Sequence, residues 1–261
     1  MKKSIYLSIL ILLFGACNEP ESPIEELVDN PNITELNQVL EGELLGSKGK
    51  LKRKTYFYFN QSTGDYDVDY YYDKAGNPIL EITTNKENEP SGYVLNYFDN
   101  KGLMTSSKVF IVGEFGLTFF SNRKYEYNLE GRLKNVLIGD GTDFKILISN
   151  TYDDQGRIKS TSGRVTGEGD FAEFFYSDGS KKISEEHFYY DQSAGIPYYV
   201  LQYEYDLDGN LIAKKPKGQI GTDESFMEFK YNNQNQVVEE ILYSLQFGQQ
   251  VLNKWKFTYF E

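Results

Sequence analysis

The chain has 261 residues and carries 27 Lys and Arg against 39 Asp and Glu, a net charge of −12. Phosphate-backbone binding and direct docking on anionic lipid head groups both rely on clustered Lys and Arg, so this balance argues against either partner. A single cysteine leaves no internal disulfide, and a mature length of roughly 240 residues suffices for one large β domain with a sizeable core.

Lys2 and Lys3 form a short basic region, residues 5–14 form an apolar run, and Phe14-Gly15-Ala16-Cys17 follows. A bilayer span needs about 20 apolar residues, so this shorter run reads as a secretory signal over residues 1–16. Gly15-Ala16-Cys17 resembles the bacterial lipoprotein box, which implies that Cys17 is lipidated and becomes the new N-terminus. Acyl chains on Cys17 would anchor the protein to a membrane without a transmembrane helix. Removal of Lys2 and Lys3 with the signal would leave a net charge near −14. Residues 17–49 read as a tether. Asn18-Glu19-Pro20-Glu21-Ser22-Pro23 combines proline with like charges, which resist packing and extend the chain. An acidic stretch directly after the cysteine resembles the surface-export signal of Bacteroidota lipoproteins. It implies an outer-membrane protein facing the cell exterior, with a periplasm-facing lipoprotein as the alternative. Leu36, Val39, Leu40, Leu44 and Leu45 have helical spacing and suggest one short helix before the main domain.

From residue 50 to 261 the sequence is periodic. Aromatic anchors stand at 72, 98, 127, 152, 176, 205, 231 and 259, with steps of 26, 29, 25, 24, 29, 26 and 28. A period in this range marks a repeat architecture, in which one supersecondary unit stacks on the next. Most anchors open a turn: Tyr72-Asp73 to Gly76, Phe98-Asp99 to Gly102, Tyr127-Asn128 to Gly131, Tyr152-Asp153 to Gly156 and Tyr205-Asp206 to Gly209. Tyr176 with Gly179 is one residue short, and Tyr231-Asn232 has Asn235 in place of the glycine. The Asp or Asn can hydrogen-bond turn amides, and the glycine supplies a positive φ.

Before the anchors, aromatic and polar residues alternate, as in Lys124-Tyr125-Glu126-Tyr127 and Lys254-Trp255-Lys256-Phe257-Thr258-Tyr259. Period two over such spans predicts half-buried strands, and a second strand follows each turn. Each unit is therefore a β-hairpin, joined to the next by longer and more variable segments such as 85–91 and 216–224. Two strands per repeat give about 16, more than an open sheet carries without curling or closing. The fold class predicted is all-β: antiparallel β-hairpin repeats in one strongly curved meander sheet, either an open spiral or barrel-like. The last strand, 254–260, either closes onto the first near 54–59 or is a surface that a partner covers; the expectation is that it is built into the sheet, with Trp255 buried.

The units YEYDLDGNL (203–211) and YEYNLEGRL (125–133) resemble the YD or Rhs repeat, and the resemblance covers about residues 55–261. It implies antiparallel sheets that coil or spiral. In large toxins and adhesins of that family the sheet forms a hollow shell; with seven or eight units and no second domain expected for it to enclose, the shell function is not carried over. Three features argue against a 16-stranded outer-membrane barrel: a lipid anchor that would be redundant, Tyr, Glu and Lys on both faces, and a mean hydropathy of −0.54.

Chemistry-bearing motifs are sparse. His187 is the one histidine, which rules out His–Cys or His–His zinc spacing, and it reads as a residue on a polar strand face. Asp65, Asp67 and Asp69 share a strand face, and Asp206-Leu207-Asp208-Gly209-Asn210 resembles part of a calcium loop. Neither has the oxygen set with a distal bidentate Glu that calcium needs. No catalytic residue, metal or cofactor is expected.

The surplus is aromatic: 22 Tyr, 18 Phe and one Trp. Tyrosine offers a rigid ring with a polar tip, suited to sugars or peptides. Tyr70, Tyr71, Tyr72, Tyr189, Tyr190, Tyr198 and Tyr199 are the candidate ligand-binding residues. Consecutive aromatics in a strand must point to opposite faces. The functional expectation is a lipid-anchored, non-enzymatic binding module with a glycan or protein partner and no nucleic acid. The alternative is an assembly factor that works through open sheet edges.

Overall fold

In the computed structural model, residues 31–42, 44–58, 64–163, 171–190, 193, 195–218, 225–244 and 250–261 are described, and among them one helix precedes sixteen strands. The helix is α1 (Pro31–Leu40). The first eight strands are β1 (Leu51–Tyr58), β2 (Tyr66–Tyr72), β3 (Pro78–Asn85), β4 (Pro90–Phe98), β5 (Met104–Gly113), β6 (Gly116–Tyr127), β7 (Leu133–Gly139) and β8 (Phe144–Tyr152). The others are β9 (Ile158–Ser162), β10 (Phe171–Tyr176), β11 (Ile183–Tyr189), β12 (Tyr199–Tyr205), β13 (Leu211–Pro216), β14 (Ser225–Tyr231), β15 (Val237–Ser244) and β16 (Gln250–Tyr259). Each pairs antiparallel with its successor, and β1 pairs with β16 from Leu51 opposite Tyr259 to Tyr58 opposite Asn253. The curved meander is thus a closed barrel, and closure removes the two sheet edges that an open spiral would expose. Cys17 and the acidic stretch after it lie outside the described residues.

The repeat turns are built as their residues dictate. In the first, Asp73 N donates to Asn77 O at 2.9 Å and Gly76 N to Asp73 O at 3.0 Å. The Asp73 carboxylate accepts from Ala75 N at 2.9 Å and Asn77 N at 2.8 Å. Gly76, Gly102, Gly131, Gly156 and Gly209 all have positive φ, between 75° and 89°. Asn235 takes the same position at φ 58°, since Asn is one of the few side chains that enters this region readily.

Seven of the eight anchors then do a second job. Each anchor tyrosine ends its strand and donates its hydroxyl to a carbonyl near the start of the preceding strand. Tyr72 reaches Leu51 O, Tyr127 Met104 O, Tyr152 Leu133 O and Tyr176 Ile158 O, at 2.6–2.8 Å. Tyr205 reaches Ile183 O, Tyr231 Leu211 O and Tyr259 Val237 O, at 2.7–2.9 Å. The preceding strand belongs to the previous hairpin, so these bonds stitch successive units together. Phe98 occupies the eighth position without a hydroxyl. Arg132, Arg157 and Lys182, each just past a turn, lie over the next anchor ring at 5.6, 4.3 and 5.1 Å. Such cation–π contacts add a second tie between neighbouring units.

The two faces of the sheet differ. One face, carrying Tyr56, Tyr70, Tyr125, Tyr203 and the anchors, is mostly aromatic and aliphatic. The other carries Lys124, Glu126, Lys230 and Lys256, all exposed. On the tyrosine face Glu81 and Tyr70 stand directly opposite each other. Both keep some open surface, yet desolvation dominates both: it raises the Glu81 pKa and pushes Tyr70 up to about 12. The fully exposed charges of the strands thus stand on the second face, while Tyr70, Glu81, Tyr125 and Tyr203 are partly covered, so the tyrosine face lines the barrel interior.

α1 packs on the opposite, outer face. Ile33, Leu36, Val39 and Leu40 form its apolar stripe, and Leu36 is completely buried against Leu80, Leu95 and Phe110. Burial of that one side chain contributes about 2 kcal/mol, and Lys108 Nζ donates to Glu35 Oε2 beside it.

Candidate ligand-binding face

Antiparallel connectivity sorts the connections into two ends. The repeat turns all lie at one end of the barrel; the segments joining one unit to the next all lie at the other, which we call the loop end. β1 and β2 face each other at the loop end, and there the tyrosine face presents a cluster. Tyr56 stacks on Tyr66 with ring centroids 4.7 Å apart and lies 5.4 Å from Trp255. Tyr56 Oη donates to Asn253 Oδ1 at 2.9 Å. Tyr58 and Tyr66 are 45% and 38% exposed, so two phenol rings stand open beside the half-buried Tyr56 and Trp255. Trp255 is half-buried rather than buried, because its face of the sheet looks into the barrel space. Lys54 Nζ lies 5.3 Å from the Trp255 ring and 5.2 Å from that of Phe257. Desolvation raises the pKa of Tyr56 and Tyr66, with nearby Asp65 adding in the same direction, so both hydroxyls stay protonated donors.

A second locus lies on the same face, over β11 to β15. A cavity of about 210 Å³ is lined by Phe188, Tyr199, Leu201, Met227, Leu242 and neighbours, with the Glu186 carboxylate among them. Glu186 is only 2% exposed, and Tyr203 Oη donates to its Oε2 at 2.6 Å. Tyr199 holds the wall in place by donating to Ser225 O at 3.1 Å.

The seven tyrosines singled out from the sequence divide among several places. Tyr70 and Tyr72 face the interior, and Tyr72, 5% exposed, is committed to the anchor bond described above. Tyr71 points outward into the partly buried ring around the α1 core. Tyr189 is buried on the outer face, its hydroxyl donating to Glu173 Oε2 at 3.1 Å. Tyr190 and Tyr198 stack at 4.1 Å in the loop-end segment between β11 and β12, with Tyr190 71% exposed. Tyr199 lines the cavity. The cluster of Tyr56, Tyr58, Tyr66 and Trp255 was not among the candidates. Its signal was the alternation Tyr56-x-Tyr58, but Tyr66 joins it only when β1 and β2 pair, and Trp255 only across the barrel seam.

Other sequence features have plain structural roles. Arg53 grips Asp69 through two bonds of 2.6 and 2.7 Å and reaches Asp67 at 3.0 Å, so the acidic face of β2 is an ion-paired seam with β1. His187 Nε2 lies 2.9 Å from Glu185 Oε2, and its ring packs 4.2 Å from Phe175 on the outer face.

No family model matches the chain, and no curated protein sequence matches it. Solved structures to which the chain shows similarity include the TcdB2-TccC3-Cdc42 complex, at 14% identity and a TM-score of 0.37 over 68% of this chain. TcdB2-TccC3 matches at 13% identity and a TM-score of 0.37 over 73%. The matched regions are 9% and 12% of those chains, so this chain spans about a tenth of their length. A porin-like protein from Bacteroides uniformis ATCC 8492 matches at 9% identity and a TM-score of 0.33, over 82% of this chain and all of that one. Scores of this size assign neither a family nor a function. Among the described residues, no helix is long and apolar enough to cross a membrane.

Proposed function

We propose that this chain is a lipid-anchored cell-envelope protein of the YD/Rhs-repeat type whose barrel is a non-enzymatic binding module. Support for the anchor comes from the sequence around Cys17 and the acidic tether after it. The observation that carries the binding role is the asymmetry of the aromatics. Anchor tyrosines at the turn end bond the neighbouring unit through their hydroxyls, and at the loop end the rings of Tyr58, Tyr66 and Tyr190 present 45%, 38% and 71% of their surface to solvent. Exposed aromatics grouped on one rim of a rigid scaffold are a recognition surface. The competing role, assembly through open sheet edges, loses its supporting feature, because β1 and β16 pair with each other.

The test is to probe glycan and peptide arrays with the full chain, alongside a Tyr58→Ala, Tyr66→Ala, Tyr190→Ala triple variant. Specific binders lost in the triple variant are expected. Binding that survives it unchanged, or an absence of any binder, overturns the reading.

A further inference from the structure

The two loci on the interior face are continuous. Strand registers place Tyr203 opposite Lys214, Lys214 opposite Met227, Met227 opposite Leu242, Leu242 opposite Asn253 and Asn253 opposite Tyr58. These six residues form one row across β12 to β16 and β1. At a strand spacing of about 4.8 Å the row is roughly 24 Å long. Glu186 marks one end through its bond from Tyr203, and the Tyr56–Tyr66 stack marks the other. Between them the 210 Å³ cavity opens beside Met227 and Leu242.

We propose that this row is a binding track for a linear, neutral glycan, which rests on the binding-module reading above and names its ligand class. Three properties of the row choose the ligand. First, it alternates rings or apolar stems with polar groups: Tyr203, Lys214, Met227 and Leu242, Asn253, Tyr58. A sugar chain repeats an apolar ring face and polar hydroxyl edges in the same way, and rings of Tyr58 and Tyr66 type stack on the former while Asn253, Lys214 and Glu186 bond the latter. Second, a polypeptide that binds by adding a strand needs a sheet edge, and a closed ring offers none. Third, the charges on the track and at its end balance, Lys214 and Lys54 against Glu186 and Glu240, which favours neither a polyanion nor a polycation. A track spanning several strands needs a ligand of several residues, so a linear chain fits and a monosaccharide does not.

The experiment uses the full chain in a sugar-free detergent and ladders of neutral gluco-, manno- and xylo-oligosaccharides from two to eight residues. Binding is followed by calorimetry and by the emission of Trp255, the single tryptophan, which lies 5.4 Å from Tyr56. For one ladder, affinity should rise at least tenfold between the dimer and the hexamer and then level off. Tyr66→Ala and Met227→Ala should each weaken the hexamer about tenfold, with Tyr58→Ala as the gentler variant should either fail to fold. Affinity independent of length, or a hexamer indifferent to Tyr58→Ala and Met227→Ala, overturns the track. If no ladder binds but a peptide on the array does, the glycan assignment falls and the binding module stands. If neither binds, both fall.

Discussion

The two ends of this barrel are made from the same hairpins and teach opposite lessons. At the turn end, each unit repeats one solution: an aromatic anchor, an Asp or Asn that caps the turn, and a residue at positive φ. Polar atoms there are matched within the unit or to its neighbour, as in Tyr205 Oη donating to Ile183 O at 2.9 Å. At the loop end the connections share no motif, and aromatic rings stand open, Phe115 at 77% and Tyr190 at 71%, whereas the open side chains of the repeat turns are the aliphatic Leu129 and Leu207. Repetition marks the end that builds the fold. Variation marks the end that is free to recognise something, because connecting segments can change without disturbing the scaffold.

The strongest way to break this contrast is to remove what both ends share. Deleting residues 250–261 takes away β16 and leaves β1 and β15 as unpaired edges. We expect loss of the cooperative thermal transition and aggregation in sedimentation, since an aromatic strand edge is a template for pairing. A soluble, cooperatively melting deletion variant would mean that closure is dispensable.

Next in size is one substitution made at each end. Gly131 sits at φ 75° in a repeat turn, while Gly113, at the loop end of β5, has no positive φ and nothing within 4 Å of an added Cβ. Gly131→Val should cost about 1–3 kcal/mol because a β-branched residue is strained in that region. Gly113→Val should stay within about 0.5 kcal/mol. Urea denaturation midpoints decide it, and equal effects would show that the repeat turns are no more constrained than the loops.

A smaller contrast concerns hydroxyls. Tyr205→Phe removes the donor to Ile183 O and should lower stability by about 1 kcal/mol, the net value of one such bond with its acceptor left unmatched. Tyr190→Phe, on an exposed ring, should fall within about 0.5 kcal/mol. Phe98 already shows that one unit tolerates the loss, so the Tyr205 effect should weaken the barrel without unfolding it. If the two variants lose the same stability, the anchor bonds do not tie the units.

How much of this was legible beforehand follows from chain distance. The turns lie within five residues, so Tyr-Asp-x-x-Gly announced them, and period two announced the strands between. Closure was one of two outcomes the aromatic last strand left open, beside a partner-covered edge, and the pairing of Lys54 with Phe257 decides it. The spacing of Leu36 to Leu45 marked an amphipathic helix, but α1 runs from Pro31 to Leu40, because proline suits the first helical position and Gly42 follows close after the end. What the sequence withheld depends on side chains that meet only in the closed ring. Tyr56 and Asn253 are 197 residues apart, and no local pattern announces that contact. Which face of a strand looks inward was equally hidden, since alternation separates two faces without saying which is enclosed.

The smallest expected effect isolates the turn carboxylates. Asp206 accepts from Asn210 N at 2.8 Å and from Asn210 Nδ2 at 3.0 Å. The Asn210 side chain first, and the turn amides after it, hold this carboxyl below its usual range; backbone bonds centred on Asn77 do the same for Asp73. A folded pKa below the unfolded value of about 3.9 means that the ionised form is favoured in the folded state. The stabilisation is therefore present in full above the unfolded pKa and disappears as pH falls through the folded one. Asp206→Asn supplies the residue that already fills the same place at Asn128 and Asn232, so the turn should persist while its titration is removed. The parent should be slightly the more stable at pH 7, and the gap between denaturation midpoints should close as the pH approaches about 2. At the loop end no shift of this kind is expected from Tyr190→Phe at either pH. A gap for Asp206→Asn that stays constant across the range would show that the asparagine alters the turn itself, and that the capping carboxylate owes nothing to its charge.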